Sequence, residues 1–197
     1  MTNIFEQAKD VYSYESFLEL TASLLNEGKT TGDNQSEEYM FYAKLNLQRM
    51  QRWNKTFTLR EDVAYAVKHI QPQTWWLITE GWCGDGAQNL PALAKMEEAS
   101  AGNIKLNIVL RDDNPNIIEQ YLTNGTKSIP VLVAFDADGK QLFRWGPRPV
   151  AAQALLTAWK NEANQRPFEA FEKEMHTWYT KDTGNAVQDE MLALLQN

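Results

Sequence analysis

The sequence predicts an α/β fold in which a mixed central sheet carries helices on both faces, with helical extensions at both ends. Three observations indicate this class. Segments with helical and strand-like spacing alternate through the middle of the chain. Two strand-like segments then follow one another across a tight turn, which is typical of a hairpin. A strand–helix–strand unit that leads into an antiparallel hairpin gives one sheet with both kinds of strand pairing.

The N-terminal part of the chain predicts three helices. Apolar residues recur at helical spacing in residues 10–26 and again in residues 38–53. The polar residues 27–37 between them are rich in Gly, Thr, Asp and Asn, and are therefore expected to form a loop. A third helix covers residues 59–70 and ends before Pro72, because proline disfavours helical geometry in the residue that precedes it.

The core then alternates between strand and helix in four segments: residues 74–79, 84–100, 104–110 and 116–122. The first strand is a short run of β-branched and aromatic residues, which indicates that it is buried. The last helix is expected to close at Asn124 and Gly125, a pair that accepts the left-handed conformation of a helix cap.

The hairpin and the tail complete the prediction. Residues 131–135 and 141–145 form the hairpin strands across a turn at 136–139, and a helix covers residues 150–161. In the tail, two apolar stripes recur at helical spacing: Phe168, Phe171, Met175 and Trp178, then Val187, Met191, Leu194 and Leu195. The first stripe either packs on the core or forms a surface for a partner or a second copy.

The chain is therefore divided into three parts: a helical extension over residues 1–57, a core domain over 58–163, and a second helical extension over 164–197. Its net charge is −7, and no dense Lys/Arg cluster is present. This argues against binding to nucleic acid or to anionic membranes, because both need a concentrated positive patch. No apolar run is long enough to span a membrane, and no secretory signal opens the chain, so a cytoplasmic location is expected.

The chain has one cysteine, Cys83, so it cannot form an internal disulfide. Cys83 lies where the first core strand meets a helix, and the N–H groups and dipole of a helix N-terminus favour a thiolate. The nearby acids Glu80 and Asp85 oppose a second negative charge. The sequence leaves this balance open, and with it the choice between a reactive thiol and a small buried apolar side chain.

The residues around Cys83 resemble the active-site motif of thioredoxins. Trp82, Cys83 and Gly84 match the Trp-Cys-Gly of that motif, and Pro91 stands where thioredoxins carry the proline that kinks the following helix. The resemblance covers about residues 58–163. The stretch is also similar to bacterial thioredoxin-related proteins of unassigned role that carry a Trp-Cys-Gly-Asp signature and no resolving cysteine.

Two later features extend the resemblance, and two residues depart from it. Ile129 and Pro130 resemble the cis-proline loop beside the thioredoxin cysteine, and Gly146 matches the glycine at the rim of the substrate groove. However, Gly86 replaces the resolving cysteine, and Leu77 replaces the buried acid that assists proton transfer. A dithiol cycle within one chain is therefore excluded.

The resemblance implies a thioredoxin-like fold and, as the leading function, a thiol–disulfide oxidoreductase with a single cysteine. Cys83 would be the nucleophile, and an external small thiol such as glutathione would resolve mixed disulfides with a disulfide-containing protein. The residues expected to bind or orient the substrate are Trp82, Gly84, Asp85, Ile129, Pro130, Gly146 and Arg148. Trp82 would shield the thiol or simply pack at the strand end, Asp85 would accept a proton or face the helix dipole, and Arg148 would hold an anion or remain solvated.

The alternative function is a degenerate binding module that holds a partner in the same groove, with Cys83 inert. A third possibility is delivery of an iron–sulfur cluster shared between Cys83 and glutathione. No metal or other cofactor is otherwise expected, because His69 and His176 lack metal-ligand spacing with Cys83 and no phosphate-cradling glycine loop is present. The oligomeric state stays open.

Overall fold

The computed structural model describes residues 3–196, and its centre is a four-stranded mixed sheet in the order β2-β1-β3-β4. The strands are β1 (Gln73–Thr79), β2 (Ile104–Leu110), β3 (Val131–Asp136) and β4 (Gln141–Trp145). β1 pairs in parallel with β2 and antiparallel with β3, and β3 pairs antiparallel with β4. The mixed sheet expected from the sequence is therefore confirmed.

Helices surround the sheet. The first four are α1 (Tyr14–Asn26), α2 (Glu37–Thr56), α3 (Glu61–His69) and α4 (Gly84–Ala99). The others are α5 (Pro115–Ile118), α6 (Val150–Lys160), α7 (Phe168–Asp182) and α8 (Asn185–Leu195). None of the helices within residues 3–196 is both long enough and apolar enough to cross a membrane.

The sheet is buried on both faces, which explains the continuous apolar run in β1. Trp75 and Leu77 point into one core cluster, which the residues of α1 to α4 and α8 complete. Trp76 and Ile78, which alternate with them, point into a second cluster that includes α5 and Cys83. β1 is thus a central, buried strand, and the motif around Cys83 follows its C-terminal end.

The terminal helices pack against the core and against each other. α2 packs on α4, α8 packs on α3 and α4, and α7 packs on α6. A third cluster of buried side chains joins α6 to α7: Ala152, Phe171, Met175 and Tyr179. Helices of both extensions, α2 and α8, therefore pack on α4, whose N-terminus carries the candidate site.

Three local predictions were incomplete or wrong. The helix predicted from residue 10 begins at Tyr14, because Ser13 accepts the N–H of Ser16 as a cap and Tyr12 pairs with Ile108 of β2. The helix predicted over 116–122 is a short α-helix followed by a 3-10 turn at Glu119–Tyr121.

Asn124 and Gly125 do adopt positive φ values, 50° and 75°. They form a separate tight turn between Thr123 and Thr126 rather than the cap predicted for the preceding helix. The sequence also gave no sign of the 3-10 turn at Ile4–Gln7. That turn places Phe5 in the second core cluster, stacked on Trp76 with a ring-centre distance of 5.0 Å.

Candidate functional site

Cys83 is the residue that caps the N-terminus of α4. The N–H of Gly86 donates to its Sγ at 3.3 Å, as expected for a side chain at a helix start. The thiol in turn donates to the carbonyl oxygen of Ile129 at 3.4 Å. Only 6% of the Cys83 surface is exposed. The sulfur is therefore bound on both sides and faces little solvent.

This environment holds Cys83 as a neutral thiol. Burial and, to a smaller extent, the charge of Asp85 together raise the pKa of the Cys83 thiol to about 12. The N–H of Gly86 and the guanidinium of Arg148 act in the opposite direction but do not balance burial. The question left open by the sequence is thus decided in this arrangement by desolvation, which outweighs the helix N-terminus.

The loop beside the cysteine has the shape that the resemblance implies. The peptide bond between Ile129 and Pro130 is cis, and so is the bond between Gly146 and Pro147, which the sequence did not indicate. Gly146 has a φ of 110°, and a Cβ there would collide with the carbonyl oxygen of Pro130. Gly146 therefore allows the two loops to meet beside the motif.

Thr79 of β1 occupies the space beside Gly86, the position at which thioredoxins carry their second cysteine. Gly86 is buried, and a Cβ on it would lie 2.6 Å from Thr79 Oγ1 and 3.5 Å from Cys83 Sγ. A side chain at position 86 therefore requires Thr79 to move. Leu77, which stands in place of the buried acid of thioredoxins, is fully buried in the first core cluster.

Asp85 lies in a network that the tertiary structure assembles. Its Oδ2 accepts from Arg148 Nε at 3.0 Å and from Nη2 at 2.5 Å, and its Oδ1 accepts from the Tyr179 hydroxyl at 2.7 Å. The side chains of Asp85 and Arg148 are each only 15% exposed. Burial and Asp85 raise the pKa of Tyr179 well above its usual value, so its hydroxyl remains a donor.

This network changes what Arg148 can do. Its guanidinium is bound to Asp85, and its Nη1 donates to Gln153 at 3.0 Å, so its polar groups are already paired. A role of Asp85 and Arg148 in substrate binding stays a prediction. Tyr179 was not recognised as part of the site from the sequence, although it continues the spacing of Phe171 and Met175 along α7.

Glu80, on the other side of the cysteine, is buried and forms no ion pair among the described residues. Its Oε1 accepts the N–H of Asp112 at 2.9 Å, whereas its Oε2 has no hydrogen-bond partner within residues 3–196. Burial raises the pKa of Glu80 to about 7, because the Thr31 hydroxyl, the N–H of Asp112 and the charge of Arg111 offset only part of the desolvation.

Trp82 is held between two side chains. The Arg111 guanidinium lies 4.7 Å from the centre of the Trp82 ring, and the Tyr39 ring lies 4.8 Å from it on a tilted approach. Arg111 itself is fixed by an ion pair between its Nε and Asp112 Oδ1 at 2.7 Å. Trp82 is thus a packed side chain at the end of the strand, and its predicted shielding of the thiol stays a prediction.

A cleft of about 340 Å³ opens beside the motif, and we call it the motif cleft. Its walls include motif residues, two tyrosines of α2 and apolar residues of α7: Tyr39, Tyr42, Trp82, Gly84, Asp85, Arg148, Phe171 and Met175. Both helical extensions therefore contribute to the site. Ile129, Pro130 and Gly146 do not line this cleft, although the Ile129 carbonyl oxygen accepts the Cys83 thiol.

Within residues 3–196, no group of three or more His, Cys, Asp or Glu side chains is placed to hold a metal ion. His69 lies on α3 and contacts Tyr65, whereas His176 lies on α7 next to Gln88. Burial and the nearby Arg49 lower the pKa of His176 to about 4, so its ring is neutral at physiological pH. The sequence did not indicate that His176 approaches the motif.

Comparison with known proteins shows which family the chain matches. Residues 32–160, more than half of the chain, match the protein family described as thioredoxin. No curated protein matches the chain. The predicted boundaries at residues 58 and 163 stay predictions.

Two solved structures have a similar fold. One is a protein of unknown function from Pseudomonas aeruginosa, with 16% identity, a TM-score of 0.55, and coverage of 94% of this chain and 98% of that chain. The other is an HIV epitope scaffold, with 17% identity, a TM-score of 0.56 and the same coverage of 94% and 98%. At these identities the likeness shows the fold alone. Together with the family match, it confirms the predicted thioredoxin-like α/β fold.

Proposed function

Because the chain belongs to the thioredoxin family, we propose that it is a thioredoxin-fold binding module in which Cys83 is kept as a neutral thiol. One observation carries this proposal. The Cys83 sulfur is buried and donates to the Ile129 carbonyl, and burial raises its pKa to about 12. Since the thiolate is the nucleophile in disulfide exchange, a thiol in this state is a poor one.

The surroundings of the motif support a binding role. The chain has no second cysteine, and Thr79 fills the space beside Gly86 that a resolving side chain would need. The motif cleft lies next to Gly84 and offers aromatic walls from α2 and α7. Aromatic side chains supply large contact areas for a bound partner, and tyrosine hydroxyls add hydrogen bonds.

The test is the rate at which iodoacetamide alkylates Cys83 between pH 6 and pH 10, followed by intact mass. At pH 8 the native protein is expected to react at least about 100-fold more slowly than the urea-unfolded chain, whose thiol has a pKa of about 8.5. The Cys83→Ser variant should gain no mass. Rapid native labelling with a midpoint below that of the unfolded chain would overturn the proposal.

The second candidate is the single-cysteine oxidoreductase, which one observation favours. The N–H of Gly86 at the start of α4 donates to Cys83 Sγ, an arrangement that would stabilise a thiolate if the sulfur became exposed. The sulfur would attack a substrate disulfide, form a mixed disulfide and release the other sulfur as a thiolate. A small thiol such as glutathione would then attack the mixed disulfide and free Cys83.

A reductase assay separates the two candidates. Reduction of a small mixed disulfide in the presence of glutathione is measured for the native protein and for Cys83→Ser. The binding module predicts equal rates for both proteins, at the level of glutathione alone. A rate that depends on Cys83 would favour the oxidoreductase, with a disulfide-containing protein or small disulfide as substrate.

A further inference from the structure

A second cleft, larger than the motif cleft, lies on the other side of His176. It has a volume of about 690 Å³, and we call it the basic cleft. The residues that matter for its chemistry come from α2, α4 and the α7 region: Arg49, Arg52, Gln88, His176, Thr180 and Thr183. The volume lies in the range of sites that enclose small molecules.

The charge of the basic cleft is opposite to that of the whole chain. The chain carries a net charge of −7, yet none of the described residues that line this cleft is an Asp or a Glu. Three arginines line it, and one of them, Arg60, is paired with Asp62 and Asp189 outside the cleft. The positive charge that remains available is therefore carried by the other two.

Neither Arg49 nor Arg52 forms an ion pair among the described residues. The carboxylate of Glu172, beside His176, nevertheless acts on the Arg49 guanidinium from outside the cleft lining. Arg49 Nη1 donates to the neutral Asn46 Oδ1 at 2.9 Å. Within residues 3–196, the guanidinium of Arg52 makes no hydrogen bond or ion pair, and the side chain is exposed. They lie three positions apart on α2 and so project on one face of the helix, where one anion can reach both.

The remaining walls supply neutral hydrogen-bonding groups. The hydroxyls of Thr180 and Thr183, at the end of α7, donate to backbone carbonyl oxygens of that helix and would have to rotate to donate to a ligand. Gln88 is fixed from two sides, because its Oε1 accepts from Trp53 Nε1 at 2.8 Å and its Nε2 donates to His176 Nδ1 at 3.2 Å. Two guanidinium groups in a cleft whose described lining holds no carboxylate match the oxygen atoms of a phosphate.

We propose that the basic cleft binds a small phosphorylated molecule, with its phosphate held by Arg49 and Arg52. A nucleic acid is disfavoured, because the rest of the chain would repel its extended backbone. The inner end of the cleft reaches the motif. Arg49 Nη1 and His176 Cε1 would lie 4.0 Å and 3.6 Å from a Cβ built on Gly84. A molecule in this cleft thus sits beside the motif, whether Cys83 is inert or reactive.

The test is isothermal titration calorimetry of the intact protein with pyrophosphate, and with citrate at the same ionic strength as a carboxylate probe. Pyrophosphate is expected to bind in a saturable way, at one site, and at least about tenfold more tightly than citrate. Absence of saturable binding at millimolar pyrophosphate would overturn the proposal. Citrate binding of equal strength would overturn the assignment to phosphate.

Variants locate the site. Arg52→Gln is expected to weaken pyrophosphate binding at least about tenfold, and Arg49→Gln by a similar factor. Arg52 is the safer change, because its exposed side chain has no partner within residues 3–196 to lose. Lys55→Gln, which removes one exposed charge from the same helix outside the cleft, is the matched control. An equal loss in Lys55→Gln would mean nonspecific attraction and would overturn the site.

Discussion

Two short segments flank Cys83, and each carries one acidic residue that is largely removed from solvent. On the side of the preceding strand, Glu80 has an unpartnered oxygen and a pKa raised to about 7. On the helix side, Asp85 is held by Arg148 and by the Tyr179 hydroxyl. The same chemical group is therefore compensated only in part, by hydrogen bonds, on one side of the cysteine, and forms an ion pair on the other.

The difference follows from which part of the chain covers each side. The side of Glu80 is covered by the loop after α1, where Thr31 accepts the N–H of Gly81 at 2.8 Å. Among the described residues no cation forms an ion pair with the Glu80 carboxylate, and Arg111 acts on it only from a greater distance. The side of Asp85 is covered by α7 and by the loop after β4, which bring a hydroxyl and a guanidinium. Burial by itself thus does not set the charge state near a motif; the partners brought by distant segments do.

The largest expected effect comes from breaking the pair on the helix side. Asp85→Asn and Arg148→Met should each lower the free energy of unfolding by about 3–5 kcal/mol, because each leaves one buried charge unpaired. The double variant should lose less than the sum of the two, since no lone charge remains. Urea unfolding of all four proteins measures this coupling. If each single variant lost less than about 1 kcal/mol of unfolding free energy, as for a surface ion pair, the buried pairing of Asp85 would be contradicted.

The next effect comes from removing the charge of Glu80. Its folded pKa of about 7 lies above the unfolded value of 4.5, so the protonated form favours folding. This contribution is fully present below pH 4.5 and is lost as the pH rises through about 7. Glu80→Gln is therefore expected to raise the unfolding free energy by up to about 3 kcal/mol at pH 8 relative to the native protein.

Urea unfolding at pH 4 and pH 8 checks this prediction, with Glu19→Gln on the exposed face of α1 as the matched control. Relative to the native protein, the control should show the same change in unfolding free energy at both pH values. His176, whose pKa is lowered, loses stability as the pH falls, but it is common to all the proteins and cancels. A Glu80→Gln variant that is less stable than the native protein at pH 8 would contradict the assigned environment.

The smallest expected effect concerns Gly86. Gly86→Ala should cost about 1–3 kcal/mol, because the new Cβ meets Thr79 Oγ1, although alanine is otherwise favoured in a helix. The cost should largely disappear in a Thr79→Ala background, which removes the obstructing atom. Thr79→Val keeps an atom in that place and should not relieve it. Thermal or urea unfolding gives these differences, and a stabilising Gly86→Ala in the native background would contradict the close approach.

Much of the fold follows from local patterns. The run of β-branched and aromatic residues in β1 predicts a buried strand, and the spacing of Phe171 and Met175 predicts α7, because both signals lie within a few turns or one strand of the chain. Tyr12 shows where prediction from local sequence patterns fails. Its helix-compatible surroundings were overridden by pairing with Ile108 in β2, a distant partner that no local pattern reveals.

The candidate site likewise has features that the sequence predicts and features that only the structure shows. The sequence places Cys83 between a strand and a helix, excludes an internal dithiol, and identifies Pro130 and Gly146 as its neighbours through the resemblance to thioredoxins. It does not reveal that Thr79 occupies the space beside Gly86, because that contact depends on how β1 meets α4. Nor does it reveal the two clefts, whose walls combine residues of α2 with residues of α7.

The sequence by itself determined that any cysteine chemistry within this chain uses one sulfur, at a predicted helix start. Only the tertiary structure decided that this sulfur is buried and its pKa raised, that Asp85 forms an ion pair, and that Glu80 forms none within residues 3–196. Arg148 and Tyr179 lie 63 and 94 residues beyond Asp85 in the chain. Desolvation and charge pairing depend on distance in space, and the fold brings these groups together only when the C-terminal helices cover the motif.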